Sequence, residues 1–551
     1  MSENINLYKT LYQEKKFEEI IYKIENLENT KTPQILHILG ICKLSKKNVS
    51  KDDKLSARED FRQVFEKDKY SNIGIEALTN FINLSVDFLK IDDALNYYSE
   101  VKDKFSNNIK LLKAISRLYQ FSLRIEERLE ILNKIIELNP SSIEDWCSYI
   151  YVNNFRKNWN KNEYYNACKK FSENIKIIDH KEIRLDKDIS KRKIKIAFFS
   201  SDINKDHSIT FFLKSILENI NLNKYELYVI SNAIKDVNIN DYKTYIKDWY
   251  NIKNLNDFDA LNFIRSKKLD IVFDLMGFTS DNRISLLKNK LAPIQISWLG
   301  YCNTLGLEEI DYIFTDSNLI FEDEQKYYTE KIIKLESIWS AHVGFPYKRK
   351  KISTPAIKKG VITFGSFNNY NKISDENIET WSKILKKVNN SKLILKSSIN
   401  LNTNYFKKKI EKMGISSQIQ FIPRTETFIE HLNYYDQIDL ALDTFPYNGV
   451  TTSFEAIWKG VPVLTIKGFN FNSRCGSSII KNLGVDYLIA KDKEDYILKA
   501  LYLCNNLDKL NKIRDEVFDK ALSSPLFNTK KFSEDFEKKL EFLINKELKN
   551  N

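Results

Sequence analysis

The run Asp439-Leu-Ala-Leu-Asp-Thr-Phe-Pro-Tyr-Asn-Gly-Val-Thr-Thr-Ser-Phe-Glu-Ala-Ile-Trp458 decides how this chain is read. Asp439–Thr444 ends an apolar strand, Phe445–Gly449 turns, and Val450–Trp458 has helical character. The run is therefore a strand–loop–helix junction. Gly449 lets the backbone come close to a ligand, and Thr451 and Thr452 sit where a helix start leaves N–H groups unpaired. A diphosphate is a natural occupant of such a junction. Glu455, one turn further in, is placed to accept bonds from ribose hydroxyls, or serves as a first-turn acid favoured by the helix dipole. Thr-Thr-Ser also reads as ordinary capping.

Strands alternate with helices on both sides of this junction. Val361–Phe364, Lys392–Leu395, Gln418–Ile422, Leu440–Leu442 and Val461–Thr465 form one series of short apolar runs. Lys195–Phe199, Glu226–Ile230, Ile271–Asp274, Gln295–Trp298 and Tyr312–Phe314 form another. Basic, polar stretches at 178–192 and around Pro346–Pro355 bound them. The alternation implies two parallel-sheet, Rossmann-like lobes, at 193–350 and 358–548, with ligands beyond the carboxyl ends of the strands.

Residues at those strand ends become the candidates. Lys372, after Gly365-Ser-Phe-Asn-Asn-Tyr-Asn, neutralises a leaving phosphate or is a solvated loop lysine. His431 precedes Asp443 by twelve residues on the preceding helix, where a half-buried surface histidine is the plain alternative. His207 follows Phe199-Ser-Ser-Asp202 and faces an acceptor hydroxyl or a phosphate, or merely starts a helix. Leu291-Ala-Pro-Ile-Gln-Ile-Ser-Trp-Leu-Gly-Tyr301 adds a strand and the Gly300 turn. Asp186-Lys-Asp188 and Asp257-Phe-Asp259 have metal-binding spacing, but neither follows a strand, so no metal is expected. The helix N-terminus and Lys372 are then left to stabilise the departing diphosphate.

The region 1–177 has helical spacing instead. Ile20-x3-Ile24-x2-Leu27 recurs at Ala57, Ala94 and Arg128, steps of 37, 37 and 34 residues, which suits tetratricopeptide-like helix pairs. Leu36-x2-Leu39-Gly40 and Leu138-Asn-Pro140 fit that pattern, and a plain helical bundle is the alternative. Stacked pairs form a concave surface suited to an extended peptide, so this region is expected to present a protein acceptor or to act as a structural cap.

Bulk numbers restrict the classes further. At 551 residues, 42% hydrophobic and 29% charged, the chain is globular with more than one core. The net charge of +12 comes from 86 basic and 74 acidic residues interspersed, so a nucleic-acid partner rests on charge alone and is not expected. The six cysteines lack C-x-x-C spacing, which argues against disulfides and zinc. Met1-Ser-Glu-Asn-Ile-Asn6 does not resemble a signal peptide, and no apolar run approaches the ~18 residues of a membrane span. A cytoplasmic location is expected, and oligomeric state is left open.

Five ordered blocks carry a resemblance: Ala292–Tyr301, Asp311–Asp316, Asp443–Thr452, Ala456–Val463 and Ser473–Ser477. Together they resemble the catalytic region of glycosyltransferase family 41, the O-linked N-acetylglucosamine transferases and SPINDLY proteins, over about Arg192–Leu526. The resemblance implies helical repeats before a two-lobed, metal-independent GT-B transferase. It implies Lys372 on the donor diphosphate, His431 stacking on the base, Thr451 and Thr452 on phosphate, Glu455 on ribose and His207 near the acceptor. Asn369, Asn448, Gly449, Gly300, Arg283 and Arg474 complete the expected nucleotide-sugar set.

Several positions depart from the family. Asn369 stands at a glutamine position, Asn371 replaces a tyrosine, Cys302 a proline, Val450 the histidine of animal enzymes, and Asp206 is an insertion. Phe445-Pro-Tyr447 and Glu455 look more like the bacterial and SPINDLY branch, which includes N-acetylglucosaminyl and fucosyl transfer. The implied reaction is inverting transfer of N-acetylglucosamine from UDP-N-acetylglucosamine to Ser or Thr of a protein, such as a surface or flagellar protein. Fucosyl transfer from GDP-fucose, another hexosyltransferase of the same fold, and an inactive helical-repeat scaffold are the alternatives.

Overall fold

The apolar positions that space the repeat are buried in the computed structural model: Ile20, Ile24, Ala57, Phe61, Val64, Ala94, Tyr98, Val101, Leu132 and Ile135. The structure describes residues 2–27, 31–179, 182–204, 207–233, 239–396 and 404–550; Asp206 lies outside them. Those apolar positions fall on the second helix of four pairs. The pairs are α1 (Ser2–Gln13) with α2 (Phe17–Glu25), α3 (Pro33–Ser45) with α4 (Lys51–Lys67), α5 (Asn72–Asp87) with α6 (Ile91–Val101), and α7 (Ile109–Phe121) with α8 (Ile125–Leu138). Gly40 on α3 permits the close approach, since a Cβ there would lie 2.9 Å from the Phe61 ring of α4.

A fifth pair, α9 (Ile143–Asn153) and α10 (Lys161–Asn174), is helical like the others but packs differently. The chain divides into two compact units, one of residues 1–145 with 399–409 and the other of the remainder. The boundary expected at 177 thus marks where helices end, whereas the packing divides within α9. Beyond it, Phe171 meets Phe278 edge-on at 5.2 Å, and the Tyr164 hydroxyl bonds the Tyr301 hydroxyl, so this pair shares the core of the lobes.

In the first lobe the strands are β1 (Ile194–Phe199), β2 (Tyr225–Ser231), β3 (Ile246–Asn251), β4 (Ile271–Asp274), β5 (Ile294–Ser297), β6 (Tyr312–Asp316) and β7 (Lys331–Leu335). They form one parallel sheet in the order β3-β2-β1-β4-β5-β6-β7, with α11 (Ser208–Leu217), α12 (Asp257–Ser266) and α13 (Ile284–Leu287) in the connections. The next stretch runs α14 (Pro355–Lys359), β8 (Ile362–Ser366), α15 (Asp375–Lys387), β9 (Ser391–Lys396), α16 (Asn404–Lys412), β10 (Ile419–Ile422), α17 (Phe428–Tyr434) and β11 (Leu440–Leu442). It continues through α18 (Thr451–Trp458), β12 (Val463–Ile466), α19 (Phe471–Leu483), β13 (Ile489–Ala490), α20 (Lys493–Cys504), α21 (Leu507–Ala521) and α22 (Thr529–Asn550). The second sheet is also parallel, ordered β10-β9-β8-β11-β12-β13. Two doubly wound lobes are therefore present, as the alternating pattern implies.

The three strands without a sequence signal, β3, β7 and β13, all lie at sheet edges. β3 exposes Lys247, Asp248 and Asn251, because an edge strand is half solvated and need not be uniformly apolar. The last helix differs from expectation too. Instead of completing the second lobe, α22 returns to the first sheet, where Phe536 packs against Phe273 at 5.2 Å, Trp298 at 5.1 Å and Phe314 at 5.4 Å. Among the described residues no helix is long and apolar enough to cross a membrane.

Phe536 is fully buried. Phe536→Ala is expected to destabilise the lobes by about 3–5 kcal/mol, read as a lower urea midpoint in tryptophan fluorescence, to which the adjacent Trp298 contributes.

Candidate active site

β11 delivers Asp443 to the carboxyl edge of the second sheet, and the chain then folds around its carboxylate. Oδ1 accepts the N–H groups of Thr444 (2.9 Å) and Gly449 (2.7 Å), and Oδ2 accepts the Thr465 hydroxyl (2.7 Å). Burial pushes this carboxyl up to about 6, against the opposing pull of those hydrogen bonds and of the Lys372 charge. The loop so closed brings Asn448 inward, where its amide donates to the Thr444 carbonyl (2.9 Å) and accepts from Gly476 N–H (3.1 Å). Its own carbonyl accepts from Lys372 Nζ at 2.8 Å. Lys372 Nζ also lies 4.3 Å from the centroid of the Tyr447 ring, and desolvation holds its ammonium below the usual lysine value, opposed by the Asp443 charge.

The loop ends where α18 begins. Val450 supplies no side-chain cap, and among the described residues no acceptor bonds the N–H groups of Thr451 and Thr452. Those two donors therefore face the loop with the helix dipole behind them. Gly449 is required by crowding: a Cβ there would lie 2.5 Å from Thr452 Oγ1 and 2.6 Å from Asn368 Oδ1. The Thr452 hydroxyl donates to Asn368 Oδ1 at 2.8 Å. One lysine, two helix-start amides and a packed glycine thus line a cradle for an anion.

One turn along α18, Glu455 is buried and bonded to His431 Nε2 (2.9 Å) and to the Tyr435 hydroxyl (2.8 Å). Lys396, the last residue of β9, meets His431 Nδ1 at 2.5 Å. An ammonium can only donate, so Nδ1 accepts and Nε2 carries the proton given to Glu455. Burial pushes Lys396 down to about 8, with the Glu455 charge opposing. The His431 ring lies 5.8 Å from Phe428 and 6.0 Å from Phe367, an aromatic wall suited to a planar base.

The first lobe faces this site through α11. Phe211 stacks on Phe428 at 6.0 Å, and Phe212 meets Phe454 edge-on at 5.1 Å. His207 caps α11 one turn earlier, its Nδ1 accepting Ile209 N–H at 3.4 Å, while Nε2 stands 3.9 Å from Asp202 Oδ1. In that tautomer Nε2 carries the proton, so accepting one from a substrate hydroxyl would require breaking the weak cap bond. Gly300 lies beside the same helix, since a Cβ there would meet Leu275 O at 1.8 Å and Ile209 Cδ1 at 2.8 Å.

Three expected ligand residues are employed elsewhere. All five donors of Arg474 are taken: Nη1 by Glu324 Oε2 (2.6 Å) and Leu319 O (2.8 Å), Nη2 by Glu324 Oε1 (3.0 Å) and Phe469 O (2.9 Å), and Nε by Gly468 O (3.1 Å). It ties the lobes together and has nothing left for phosphate. Arg283 binds Asp257 and the carbonyls of Ile252 (2.9 Å) and Leu255 (3.0 Å), fastening the start of α12 to α13. Asn369 is exposed and caps Asn371 N–H (3.0 Å), and its neighbour Asn368 is the one that points inward. Asn368, Lys396, Tyr435 and Tyr447 join the site without being singled out by the sequence pattern. Of these, only Lys396, at a strand end, carries a usable signal.

Residues 126–343 and 348–536 match the family described as Glycosyl transferase family 41. The chain belongs to glycosyltransferase family 41. The family 41 match starts inside α8 and takes in α9 and α10, in keeping with their packing on the lobes. SPINDLY of Eustoma exaltatum subsp. russellianum, described as a probable UDP-N-acetylglucosamine–peptide N-acetylglucosaminyltransferase, is 31% identical over 341 residues, 60% of this chain and 37% of that protein. SPINDLY of Arabidopsis thaliana, described in the same words, is 30% identical over 352 residues, 62% of this chain and 38% of that protein. This family 41 chain thus spans under two fifths of the length of those relatives. A mutant of the Thermobaculum terrenum O-GlcNAc transferase shares the fold with a TM-score of 0.79 at 22% identity, covering 95% of this chain and 100% of that one.

Gly449→Ala is expected to weaken nucleoside diphosphate binding by about tenfold or more, measured by calorimetry, because the added methyl has no space beside Thr452 and Asn368. The Lys396 ammonium donates to His431 Nδ1, and its value near 8 means that this charged donor is lost as pH rises through 8. Binding of a nucleoside over the His431 wall, measured by the same calorimetry, is expected to weaken over that range, and Lys396→Met should flatten the profile.

Proposed function

We propose that this family 41 chain transfers N-acetylglucosamine from UDP-N-acetylglucosamine to a Ser or Thr hydroxyl of a protein, with inversion and without a metal ion. The observation that carries this reading is Lys372 Nζ held beside Asn448 O at 2.8 Å, next to the uncapped start of α18. The donor is favoured by the description of the SPINDLY relatives. The diphosphate lies on the amides of Thr451 and Thr452, and Lys372 neutralises the charge that grows as the sugar–phosphate bond breaks. The acceptor oxygen forms the new bond at the anomeric carbon, and its proton passes to a base. His207 Nε2 serves as that base only after its proton shifts; otherwise a donor phosphate oxygen takes the proton. Glu455 receives the ribose hydroxyls, with His431 fixed against the base by Lys396. The helix pairs present the acceptor, for example a surface or flagellar protein, in the cytoplasm.

Nucleotide release from UDP-N-acetylglucosamine, GDP-fucose and UDP-glucose, each with and without a chelator, tests this. Release from the first alone, unchanged by chelation, is expected; release from none counts against catalysis and favours the scaffold. Lys372→Ala is expected to lower kcat by about 10²–10³-fold, the scale of losing one transition-state charge contact.

A further inference from the structure

The turn that ends α9 reaches the donor loop by two routes. Phe155 is buried, and its ring stacks on Tyr447 with centroids 4.9 Å apart and planes at 16°. Tyr447 is the residue whose ring centroid lies 4.3 Å from Lys372 Nζ. Beside it, the buried Asn154 side chain donates to the Tyr301 hydroxyl (2.8 Å) and accepts from Asn303 (3.1 Å) and Asn472 (2.6 Å). The Asn472 carbonyl accepts Asn448 N–H at 3.3 Å, and the Asn448 carbonyl accepts from Lys372. Both contacts of Lys372, the ring and the carbonyl, are therefore backed by consecutive residues of the helical region, which among the described residues contributes no group to the cradle itself.

The geometry points to Phe155 as a positioning residue for transfer: it holds the Tyr447 ring against Lys372, making the last helix pair part of the donor machinery. This rests on the transferase reading above. A ring that packs another ring limits its tilt, and the ammonium gains from the ring only over its face, so loosening Tyr447 moves the charge off the leaving group. The effect belongs in kcat rather than in donor KM, because Lys372 acts most strongly on charge that develops during bond breaking.

A double-mutant cycle with donor-dependent nucleotide release tests this. Phe155→Leu keeps an apolar side chain but removes the ring face. It is expected to lower kcat by about tenfold, the scale of one desolvated cation–π contact, with donor KM changed by less than about twofold. Phe155→Tyr should restore most of the rate. In a Lys372→Ala background Phe155→Leu should cost less than about twofold more, since both act through one group. Equal losses in the two backgrounds, or equal losses for Leu and Tyr at 155, would reduce Phe155 to core filling and overturn the proposal. Should Phe155→Leu fold poorly, Tyr447→Leu against Tyr447→Phe supports the same cycle: a kcat loss that vanishes without Lys372 upholds the proposal, and one that persists overturns it. If Lys372→Ala alone leaves turnover unchanged, the donor-site reading fails and this proposal falls with it. Full Lys372 dependence with additive Phe155 effects removes this proposal alone.

Discussion

A carboxylate without water around it needs hydrogen-bond donors, and at Asp443 two of those donors come from the loop itself and a third from Thr465 on β12. The N–H groups of Thr444 and Gly449 and the hydroxyl of Thr465 converge on one buried side chain whose protonation burial has moved up to about 6. Closing the loop this way costs desolvation energy, which the three bonds offset only if all form together. Everything downstream follows from that closure. It turns Asn448 toward Lys372, sets Gly449 against Asn368 and Thr452, and begins α18 at a point where two amides find no partner among the described residues. The anion cradle is a by-product of solvating one aspartate from within.

Much of this is legible in the residues. A strand, a turn rich in special residues and a helix start announce themselves locally, so the junction at 439–458 and ten of the strands can be read from pattern alone. Lys372, Asn448, Gly449 and Thr452, close to those strand ends, lie together in the structure. Partner choice is another matter, because no local pattern encodes it. Arg474 sits in a family-like motif, yet Glu324, 150 residues away in sequence, consumes its fork. Asn368 and Asn369 are chemically identical neighbours, and only the direction of the chain leaving β8 decides which one turns inward. The role of Asn154 and Phe155 is invisible for the same reason: an asparagine and a phenylalanine at a helix end have no signature until both lobes meet there.

The two lobes are joined by contacts of opposed character. Arg474 and Glu324 form a buried ion pair whose removal from one side would strand the other charge, whereas Phe211, Phe212, Phe428 and Phe454 meet as an apolar seam. The ion pair is costly to break from one side, and the ring seam is close-packed. The seam lies on the side of His431 and His207, and its Phe454 belongs to α18, the helix that begins at Thr451.

The return of α22 to the first sheet has a consequence for biogenesis. During synthesis β1 to β7 emerge long before the helix whose Phe536 covers Phe273, Trp298 and Phe314. Until α22 has been made, those aromatic rings have no lid, and a half-made chain carries an adhesive patch on its earlier lobe. Folding of the first lobe therefore waits on a helix encoded far beyond its own last strand, and the partly made lobe exposes an apolar face for that interval.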